Sequence, residues 1–468
     1  MSLRFYNSLG RSVQDFVPLA AGKASLYTCG PTVYNFAHIG NFRAYMFEDL
    51  LRRTLELCGY EVKHVMNLTD VDDKTIRDSR AAGLSLDAFT RRFKDAFFED
   101  VATVRIRRAQ VYPAATDHVP EMIELIGKLF AAGVAYQAED GSVYFSIAKW
   151  PAYGQLQKID RDQMRAGVRI SHDEYAKESV ADFALWKAWS EGDGDVGWDS
   201  PWGRGRPGWH IECSAMSAKY LGPQFDVHCG GVDNMFPHHE DEIAQSEAAN
   251  GCRFVNYWLH CAHLIVNGEK MSKSLGNFYT LRDLLAKGYT GREIRWVLLG
   301  THYRQPLDFS FAALDAARAS LQRLAGFRER LAETAAAPAA GAGIAAERAA
   351  KARADFQAGL EDDLNISAAL AALFDLVRDG NRLLDEGAVA GSAAAAFAEA
   401  LAFCDQVLDV LDPDAVEGVP ADVQRLADER QAARKAKDFA RADALRDQLA
   451  AAGWVVEDTP KGPRVKRA

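Results

Sequence analysis

The stretch that decides the fold runs from Ser25 to Leu68 and reads SLYTCGPTVYNFAHIGNFRAYMFEDLLRRTLELCGYEVKHVMNL. Ser25 to Cys29 has the composition of a short buried strand, and Glu61 to Leu68 predicts the next strand. Between them, apolar residues at helical spacing predict a helix from about Gly40 to Cys58, which Gly59 ends. Strand, helix and strand in this order form the unit of a parallel sheet. The turn before the helix therefore lies at the carboxyl edge of the sheet, where open α/β sheets bind ligands.

Length and composition restrict the class of protein. The chain has 468 residues, of which 26% are charged and 48% hydrophobic, as expected for a globular protein of about three domains. The sequence has neither an apolar run of about 20 residues nor the apolar core of a signal peptide, so we expect a cytoplasmic protein with no membrane partner. The seven cysteines are expected to be reduced, buried or metal-bound. A net charge of −10 argues against nonspecific coating of nucleic acid.

Two short motifs have the composition of phosphate-binding elements. Lys270 to Ser274 reads KMSKS and lies between Gly268 and Gly276, which is typical of a loop that brings positive charge to a polyphosphate. A solvated loop would have the same composition, so the motif alone does not decide. His38 to Asn41 reads HIGN and opens the predicted helix. A helix N-terminus after a glycine turn supplies N–H groups and a positive dipole to a phosphate.

Four scattered side chains have the residue types of a metal site. His238 and Glu242 are four residues apart and would lie on one helix face. Cys29 follows the first predicted strand, and Cys213 lies in the segment GWHIECSAM. Two thiolates, one imidazole and one carboxylate suit zinc, although residue types alone favour the simpler interpretation of two buried cysteines and an acidic, solvated helical turn. The alternative pairings are His239 with Glu240 and His239 with Glu242.

The two phosphate motifs resemble the ATP-binding signatures of class I aminoacyl-tRNA synthetases, in which the first motif usually reads HIGH. Asn41 stands here in place of the second histidine, so this motif is weakened. Further segments resemble cysteinyl-tRNA synthetases in particular. These are NLTDVDDK at 67–74, DFALWK at 182–187, PWGRGRPGWHIECSAM at 201–216, FPHHEDEIAQS at 236–246 and KMSKSLGNF at 270–278.

The resemblance implies both a fold and a reaction. The fold is α/β: a Rossmann-type parallel-sheet catalytic domain with an insertion, then a helical bundle and a small C-terminal tRNA-binding domain. The reaction is that of a ligase, which activates L-cysteine with ATP and Mg²⁺ to cysteinyl-adenylate and pyrophosphate and then transfers cysteine to the 3′ end of tRNA(Cys). One zinc per chain would bind the substrate thiolate, because an apolar pocket separates near-isosteres such as cysteine and serine by only about 10–200-fold. We expect a monomer.

The resemblance also assigns roles to residues. His38, Lys270 and Lys273 would act on ATP, with Lys273 the stronger candidate for contact with the phosphates. The segment GGVDN at 230–234 would hold the adenosine. The implied zinc ligands are Cys29, Cys213, His238 and Glu242. The residues expected to line the ATP and cysteinyl-adenylate pocket are Gly40, Asn41, Thr69, Trp209, His228 and Asp233.

The pattern along the chain predicts the domain organisation. Alanine-rich stretches at Ala335 to Ala346 and Gly387 to Phe397 are expected to be loops. Residues 425–467 contain eleven basic and seven acidic side chains, and Arg434 to Arg446 predicts one basic helix, followed by Trp454 as either a base-stacking or a core residue. The expected domains are 1–120 and 206–262 for the catalytic domain, 121–205 for the insertion, 263–311 for the KMSKS and stem-contact region, 312–415 for the helical bundle and 416–468 for the anticodon-binding domain.

Three other hypotheses remain open. A cysteine ligase of mycothiol synthesis would share the catalytic core but use an amino-sugar acceptor, and the basic C-terminal module argues against it. A zinc hydrolase would use His238, His239 and Glu242, but the sequence lacks an H-E-x-x-H helix and the KMSKS motif would be unexplained. A non-catalytic tRNA-binding relative would have lost activity through Asn41. Cysteine-dependent ATP–pyrophosphate exchange separates the enzymes from the last of these.

Overall fold

The computed structural model describes residues 2–158, 182–272, 274–411, 421–459 and 462–467. The chain forms two compact units, Met1–Val410 and Leu411–Ala468. The predicted boundary between 415 and 416 and part of the predicted insertion fall outside the described residues, so the predicted domain limits stay predictions. Each helix in the described part of the chain is too short or too polar to cross a bilayer.

A parallel sheet forms the centre of the first unit, and the predicted α/β fold is confirmed. Across the sheet, the four strands found among the described residues are Val255–Cys261, Phe225–Gly231, Lys23–Thr28 and Glu61–Met66. The helix that connects the last two spans Ile39–Leu57, within a residue of the prediction. The order of strand addition reverses between Lys23–Thr28 and Phe225–Gly231. Such a reversal opens a crevice between the carboxyl ends of the two strands, where ligands bind.

The helix Ile39–Leu57 is buried on most of its surface, so its charged side chains need partners. The carboxylate of Asp49 is fully buried; it lies 2.8 Å from Arg53 Nε and 2.7 Å from Arg295 Nη2. Arg53 also reaches Asp409 at 2.8 Å. A buried carboxylate without such partners would be strongly destabilising. These ion pairs fix the helix that carries the HIGN turn against the later helices of the unit.

A second sheet lies between the two halves of the parallel sheet in the sequence. Its described strands are antiparallel and span Ala135–Gln137, Val143–Phe145, Phe183–Ala188 and Gly205–Pro207. The first two form a hairpin, as the Asp140-Gly141 pair predicts. The helix Val119–Ala131 packs with this sheet in one apolar core.

The remaining elements of the first unit surround the two sheets or form its helical end. Within the described residues of this unit, the remaining α-helices are Asp73–Ala81, Leu86–Thr103, Trp209–Leu221, His238–Asn250, Leu281–Ala286, Gly291–Leu299, Phe311–Thr334, Ala342–Glu361, Ile366–Asp385 and Ser392–Leu408. The short 3₁₀ helices are Ala115–His118, Ile147–Lys149, Glu191–Asp193 and Val232–Met235. The remaining strands are Arg4–Asn7, Ser12–Asp15, Leu264–Val266, Glu269–Lys270 and Leu307–Phe309.

The alanine-rich stretches correct a prediction. The expected loop at 335–346 contains the start of the helix Ala342–Glu361, and the expected loop at 387–397 contains the start of Ser392–Leu408. Ala345 is fully buried. Alanine is the best helix former, and its small side chain lets neighbouring helices approach closely, so a low-complexity composition does not distinguish a linker from a packed helix.

The second unit is a small helical hairpin with a β-ribbon. Its helices span Ala421–Lys435 and Phe439–Ala451, and its antiparallel strands span Trp454–Thr459 and Gly462–Arg467. The single predicted helix over 434–446 is therefore wrong. Lys437 has a positive φ of 61° and the Asp438 carboxylate caps the new helix by accepting from Arg441 N at 3.1 Å. The unit's small apolar core contains Val423, Ala427 and Leu449, with Trp454 partly buried against them.

Candidate metal and nucleotide site

The HIGN turn is built as a helix cap at the carboxyl edge of the parallel sheet. His38 is the N-cap of the helix, and its Nδ1 accepts from the Asn41 backbone N–H at 3.2 Å. The Asn41 Oδ1 in turn accepts from the His38 backbone N–H at 3.1 Å. This reciprocal capping box satisfies two N–H groups that the helix would otherwise leave open. Asn41 therefore has a structural role, which explains how asparagine is accommodated at this position.

The KMSKS segment lies directly beside the HIGN turn. The Ile39 backbone N–H donates to Tyr279 O at 3.0 Å, and the His38 ring meets the Phe278 ring edge-on with centroids 5.1 Å apart. A Cβ atom at Gly40 would lie 3.2 Å from the Met271 methyl carbon, so glycine keeps this contact open. Lys270 lies on the short exposed strand Glu269–Lys270, whereas Lys273 lies outside the described residues.

Two of the metal candidates reach the crevice from one helix. His238 and Glu242 begin the helix His238–Asn250, and His238 Nε2 lies 3.1 Å from Glu242 Oε1. Cys29 follows the strand Lys23–Thr28, and Cys213 lies in the helix Trp209–Leu221. One ligand atom from each of these four residues lies within 4.8 Å of every other. The structure thus brings together the four residues that the sequence singled out.

The donor atoms of this cluster fit a cation. Glu242 Oε1 is buried, and its 3.1 Å contact with His238 Nε2 does not have hydrogen-bond geometry, so among the described residues this oxygen has no hydrogen-bond donor. Burial raises the pKa of the Cys213 thiol, and the hydrogen bond that Cys29 donates to Cys213, together with burial, raises the pKa of Cys29. Burial lowers the pKa of His238 to about 3, so its imidazole is neutral and can bind a metal. Two thiolates and a carboxylate would be unfavourable here without a cation between them.

A chain of side chains orients His238 from behind. His238 Nδ1 lies 3.0 Å from His210 Nδ1, and His210 Nε2 lies 3.4 Å from Asp241 Oδ2. The Tyr153 hydroxyl donates to Asp241 Oδ1 at 2.5 Å. Donation from His238 Nδ1 to His210 Nδ1 leaves Nε2, the nitrogen that faces Glu242, unprotonated and able to bind a metal. Such outer partners fix the ring and the tautomer of a ligating histidine.

A second set of donors overlaps the first. Cys29 and Glu242 also meet the ligand criterion together with His228 and His239. In this set, however, His228 Nε2 is hydrogen-bonded to Glu242 Oε2 at 3.0 Å and His239 Nε2 lies 3.4 Å from Cys29 Sγ. His239 Nδ1 continues to His260 Nε2 at 2.9 Å. The second set offers one sulfur donor where the first offers two, so the set with two cysteines is closer to the ligands that zinc prefers.

The pairing of His239 with Glu240 does not occur. The Glu240 carboxylate accepts from the backbone N–H groups of Gly154, Leu156 and Gln157 at 2.8–2.9 Å. Glu240 therefore anchors the segment 154–157, and His239 faces Cys29 instead.

The predicted pocket residues occupy different surroundings. The Thr69 hydroxyl is buried and donates to Glu212 Oε2 at 2.9 Å. The Trp209 ring stacks on the His238 ring with centroids 4.3 Å apart, yet 42% of Trp209 is exposed. His228 is fully buried and stacks on Trp258. Asp233 is exposed in the turn after the strand Phe225–Gly231.

Sequence reasoning missed the supporting residues. His210, Asp241 and Tyr153 were not among the predicted site residues, although His210 and Asp241 lie within the quoted motifs. The signal available for these two was adjacency in the sequence, because His210 follows the predicted residue Trp209 and Asp241 precedes the predicted ligand Glu242. Tyr153 gave no signal, because it reaches Asp241 only through tertiary packing.

Comparison with known proteins identifies the family. The family model described as tRNA synthetases class I (C) catalytic domain matches residues 15–319, the DALR domain matches 355–412, and the cysteinyl-tRNA ligase anticodon binding domain matches 416–465. The chain is 50% identical to the cysteine–tRNA ligase of Protochlamydia amoebophila over 99% of this chain and 98% of that one. It is 48% identical to the cysteine–tRNA ligase of Chlamydia pneumoniae over the same shares.

A solved structure supports the fold independently. Mycobacterium tuberculosis methionyl-tRNA synthetase in complex with methionyl-adenylate superimposes with a TM-score of 0.60 at 19% identity, covering 83% of this chain and 90% of that one. This likeness concerns the fold alone. The full-length identity and the matched domains together place the chain in the cysteinyl-tRNA synthetase family.

Proposed function

We propose that this protein is a cysteine–tRNA ligase. It activates L-cysteine with ATP, releases pyrophosphate, and transfers the cysteinyl group from the adenylate to the 3′ end of tRNA(Cys). The observation that carries this proposal is the convergence of Cys29, Cys213, His238 and Glu242 into one cluster. Full-length similarity to cysteine–tRNA ligases supports the same conclusion.

Zinc is the metal that the donor set favours. Two sulfur donors and one imidazole select a borderline-soft ion, whereas Mg²⁺ and Ca²⁺ prefer oxygen. When bound, zinc would supply a Lewis acid that binds the substrate thiolate and thereby separates cysteine from serine. Cys29, Cys213, His238 and Glu242 would hold it, one ion per chain. His238 would donate its Nδ1 proton to His210 Nδ1, so that its unprotonated Nε2 faces the metal.

The walls around the metal suit a small amino acid. Trp209 covers His238 with its ring and would close one side of the pocket over the substrate. The Thr69 hydroxyl donates a hydrogen bond to Glu212 and accepts one from Asn67 Nδ2 at 3.2 Å, which leaves one oxygen lone pair as an acceptor for an ammonium group. His228 Nε2 is hydrogen-bonded to Glu242 Oε2, so its main role would be to fix this carboxylate, with contact to the substrate secondary.

The phosphates of ATP would bind along the HIGN turn. The helix N-terminus at His38 and Gly40 offers positive potential, and Lys270 with Lys273 would stabilise the charge that develops as pyrophosphate leaves. Mg²⁺ would accompany the nucleotide. Asp233 and the glycines at 230–231 lie at the carboxyl end of the neighbouring strand and would hold the adenosine.

Recognition of the tRNA would use the C-terminal unit. Its helix Phe439–Ala451 carries exposed arginines at 441 and 446, and a polyanion would compete with Asp443 and Asp447 for Arg446. Trp454 packs partly into the core of that unit, so base stacking by this ring is the weaker interpretation. A monomeric state and a cytoplasmic location remain predictions.

Three assays test the proposal together. Purified protein is analysed for bound zinc, for ATP–pyrophosphate exchange with cysteine or serine, and for charging of tRNA(Cys) or glucosaminyl-inositol. We expect about one zinc per chain, exchange that requires cysteine, and charging of the tRNA only. If exchange occurs and cysteine is transferred to the amino sugar but not to the tRNA, the protein is the mycothiol-type ligase instead. Absence of exchange in zinc-replete protein would leave only a non-catalytic relative.

A further inference from the structure

The KMSKS segment and the HIGN turn meet at a junction whose contacts are made by residues outside the metal cluster. Besides the Ile39–Tyr279 hydrogen bond, His38 and Thr280 form an isolated antiparallel bridge. Thr280 then caps the helix Leu281–Ala286 through a reciprocal bond pair with Asp283. The point at which the KMSKS segment returns to the body of the protein is therefore defined by the HIGN turn on one side and by this short helix on the other.

One guanidinium connects the short helix to two other segments. Arg282 lies 5.0 Å from the centroid of the Phe36 ring, two residues before His38. Its Nη2 donates to Glu99 Oε2 at 2.7 Å and to Ala96 O at 3.3 Å, and its Nε lies 3.0 Å from Asp100 Oδ1. Arg282 thus holds the helix after the KMSKS segment against the residues before the HIGN turn and against the helix Leu86–Thr103.

These contacts are more specific than those of an ordinary surface ion pair. Exposed pairs with a single partner contribute little to stability and leave the geometry loose. Arg282 is only 38% exposed at its side chain and has an aromatic face, two carboxylates and a carbonyl as partners. The Asp100 side chain is 3% exposed, so its carboxylate depends on this partner. A planar fork with several fixed partners restrains position in a way that a lone ammonium does not.

We propose that Arg282 is a positioning residue for the activation step. Its guanidinium fixes the place where the KMSKS segment rejoins the HIGN turn, and thereby sets how the lysines of that segment approach the leaving pyrophosphate. This inference rests on the proposed function, because it assigns Arg282 to the step that forms cysteinyl-adenylate. Residues far from the reacting atoms can change a rate in this way, since a displacement of about 1 Å at the site can cost on the order of 100-fold.

The chain offers a matched control. Arg92 places its guanidinium 5.6 Å from the centroid of the same Phe36 ring, but it belongs to the helix Leu86–Thr103. Arg92→Met therefore removes a cation from this ring without removing the link to the helix Leu281–Ala286. Arg282→Met removes both the cation and the link. Arg282→Lys keeps the positive charge but loses the planar guanidinium that contacts several partners at once.

The experiment compares these variants in two separate reactions. We expect Arg282→Met to lower kcat of cysteine-dependent ATP–pyrophosphate exchange on the order of 10-fold, Arg282→Lys to recover part of this loss, and Arg92→Met to stay within about twofold of wild type. Zinc content, KM for cysteine and single-turnover transfer from preformed cysteinyl-adenylate to tRNA should be unchanged in all three. This pattern would place Arg282 in the activation step alone.

Other outcomes overturn the assignment. Equal exchange rates for Arg282→Met and Arg92→Met, or a parallel fall in exchange, transfer and melting temperature, would give Arg282 a structural role only. If Arg282→Met does not fold, Phe36→Leu removes the aromatic partner and must show the same selective loss of exchange, or the proposal fails. Absence of exchange in the wild-type protein would instead refute the proposed function, which keeps the two failures distinguishable.

Discussion

The metal cluster and the phosphate-binding elements meet at one edge of the sheet, but they are held differently. Cys213, His238 and Glu242 are at most 2% exposed and come from two helices, each ligand supported by further side chains. Lys270 is exposed on a two-residue strand, and the segment after it is fixed mainly by Asn277, which bonds Ser272 N and Lys270 O. The cluster is rigid by burial, whereas the lysine segment is held at its ends.

The difference corresponds to two different tasks. Discrimination between cysteine and serine depends on fixed ligand geometry, which buried residues with locked partners supply. Release of pyrophosphate requires a charged segment that approaches and withdraws, and an exposed loop suits that requirement. Changes in the cluster should therefore alter metal content and substrate choice, and changes in the loop should alter the rate at constant metal content.

The largest expected effect comes from a ligand of the cluster. Cys213→Ser should abolish zinc binding and lower cysteine-dependent exchange by on the order of a thousandfold, more than the roughly 10–100-fold typical of outer-shell changes. Metal analysis and exchange assays measure the two effects. Cys252→Ser is the matched control, because Cys252 is half-buried and its closest polar contact is Pro223 O at 4.0 Å. Normal zinc content in Cys213→Ser would remove Cys213 from the site.

The lysine segment should respond in the opposite way. Lys273→Ala should lower pyrophosphate exchange by about 100–1,000-fold, the range for loss of one preorganised charge or donor, with zinc content unchanged. Lys287→Ala, which removes an exposed lysine beside Phe311, serves as the control and should be nearly silent. A loss of zinc in Lys273→Ala would contradict the conclusion that the metal cluster and the lysine segment act separately.

A smaller effect on zinc affinity is expected from the side chain that supports the ligand His238. His210→Ala leaves His238 without its Nδ1 partner and should weaken zinc affinity by about 10–100-fold, because the ring is no longer held in one tautomer. Competition with a chelator measures this affinity. His118→Ala tests for a general effect of removing a buried histidine, since His118 bonds Ala114 O and Tyr220 OH instead. Equal zinc affinities in the two variants would show that His210 does not support the site.

The extent to which the sequence predicts the molecule follows from the range of the interactions. The helix Ile39–Leu57 and the shared face of His238 and Glu242 were predictable, because periodicity and i,i+4 spacing are local. The contact between His210 and His238 was not, since it joins residues 28 apart whose rings meet only after two helices pack. The break at Asp438 was missed because the basic periodicity continues across it, while a positive φ at Lys437 leaves no signal in composition.

The smallest expected effect tests the HIGN turn, which the KMSKS segment contacts. Asn41→Ala opens the capping box and should destabilise the protein by about 0.5–1 kcal/mol, measured by thermal unfolding. Asn41→Asp can still accept from the His38 N–H and suits a helix N-terminus, so it should keep the stability. Its negative charge would repel ATP phosphates, however, and should raise KM for ATP. If Asn41→Ala leaves stability unchanged but abolishes exchange, Asn41 acts on the nucleotide rather than as a helix cap. Stabilisation of the ATP phosphates would then depend less on Lys270 and Lys273 than the contrast between the metal cluster and the lysine segment implies.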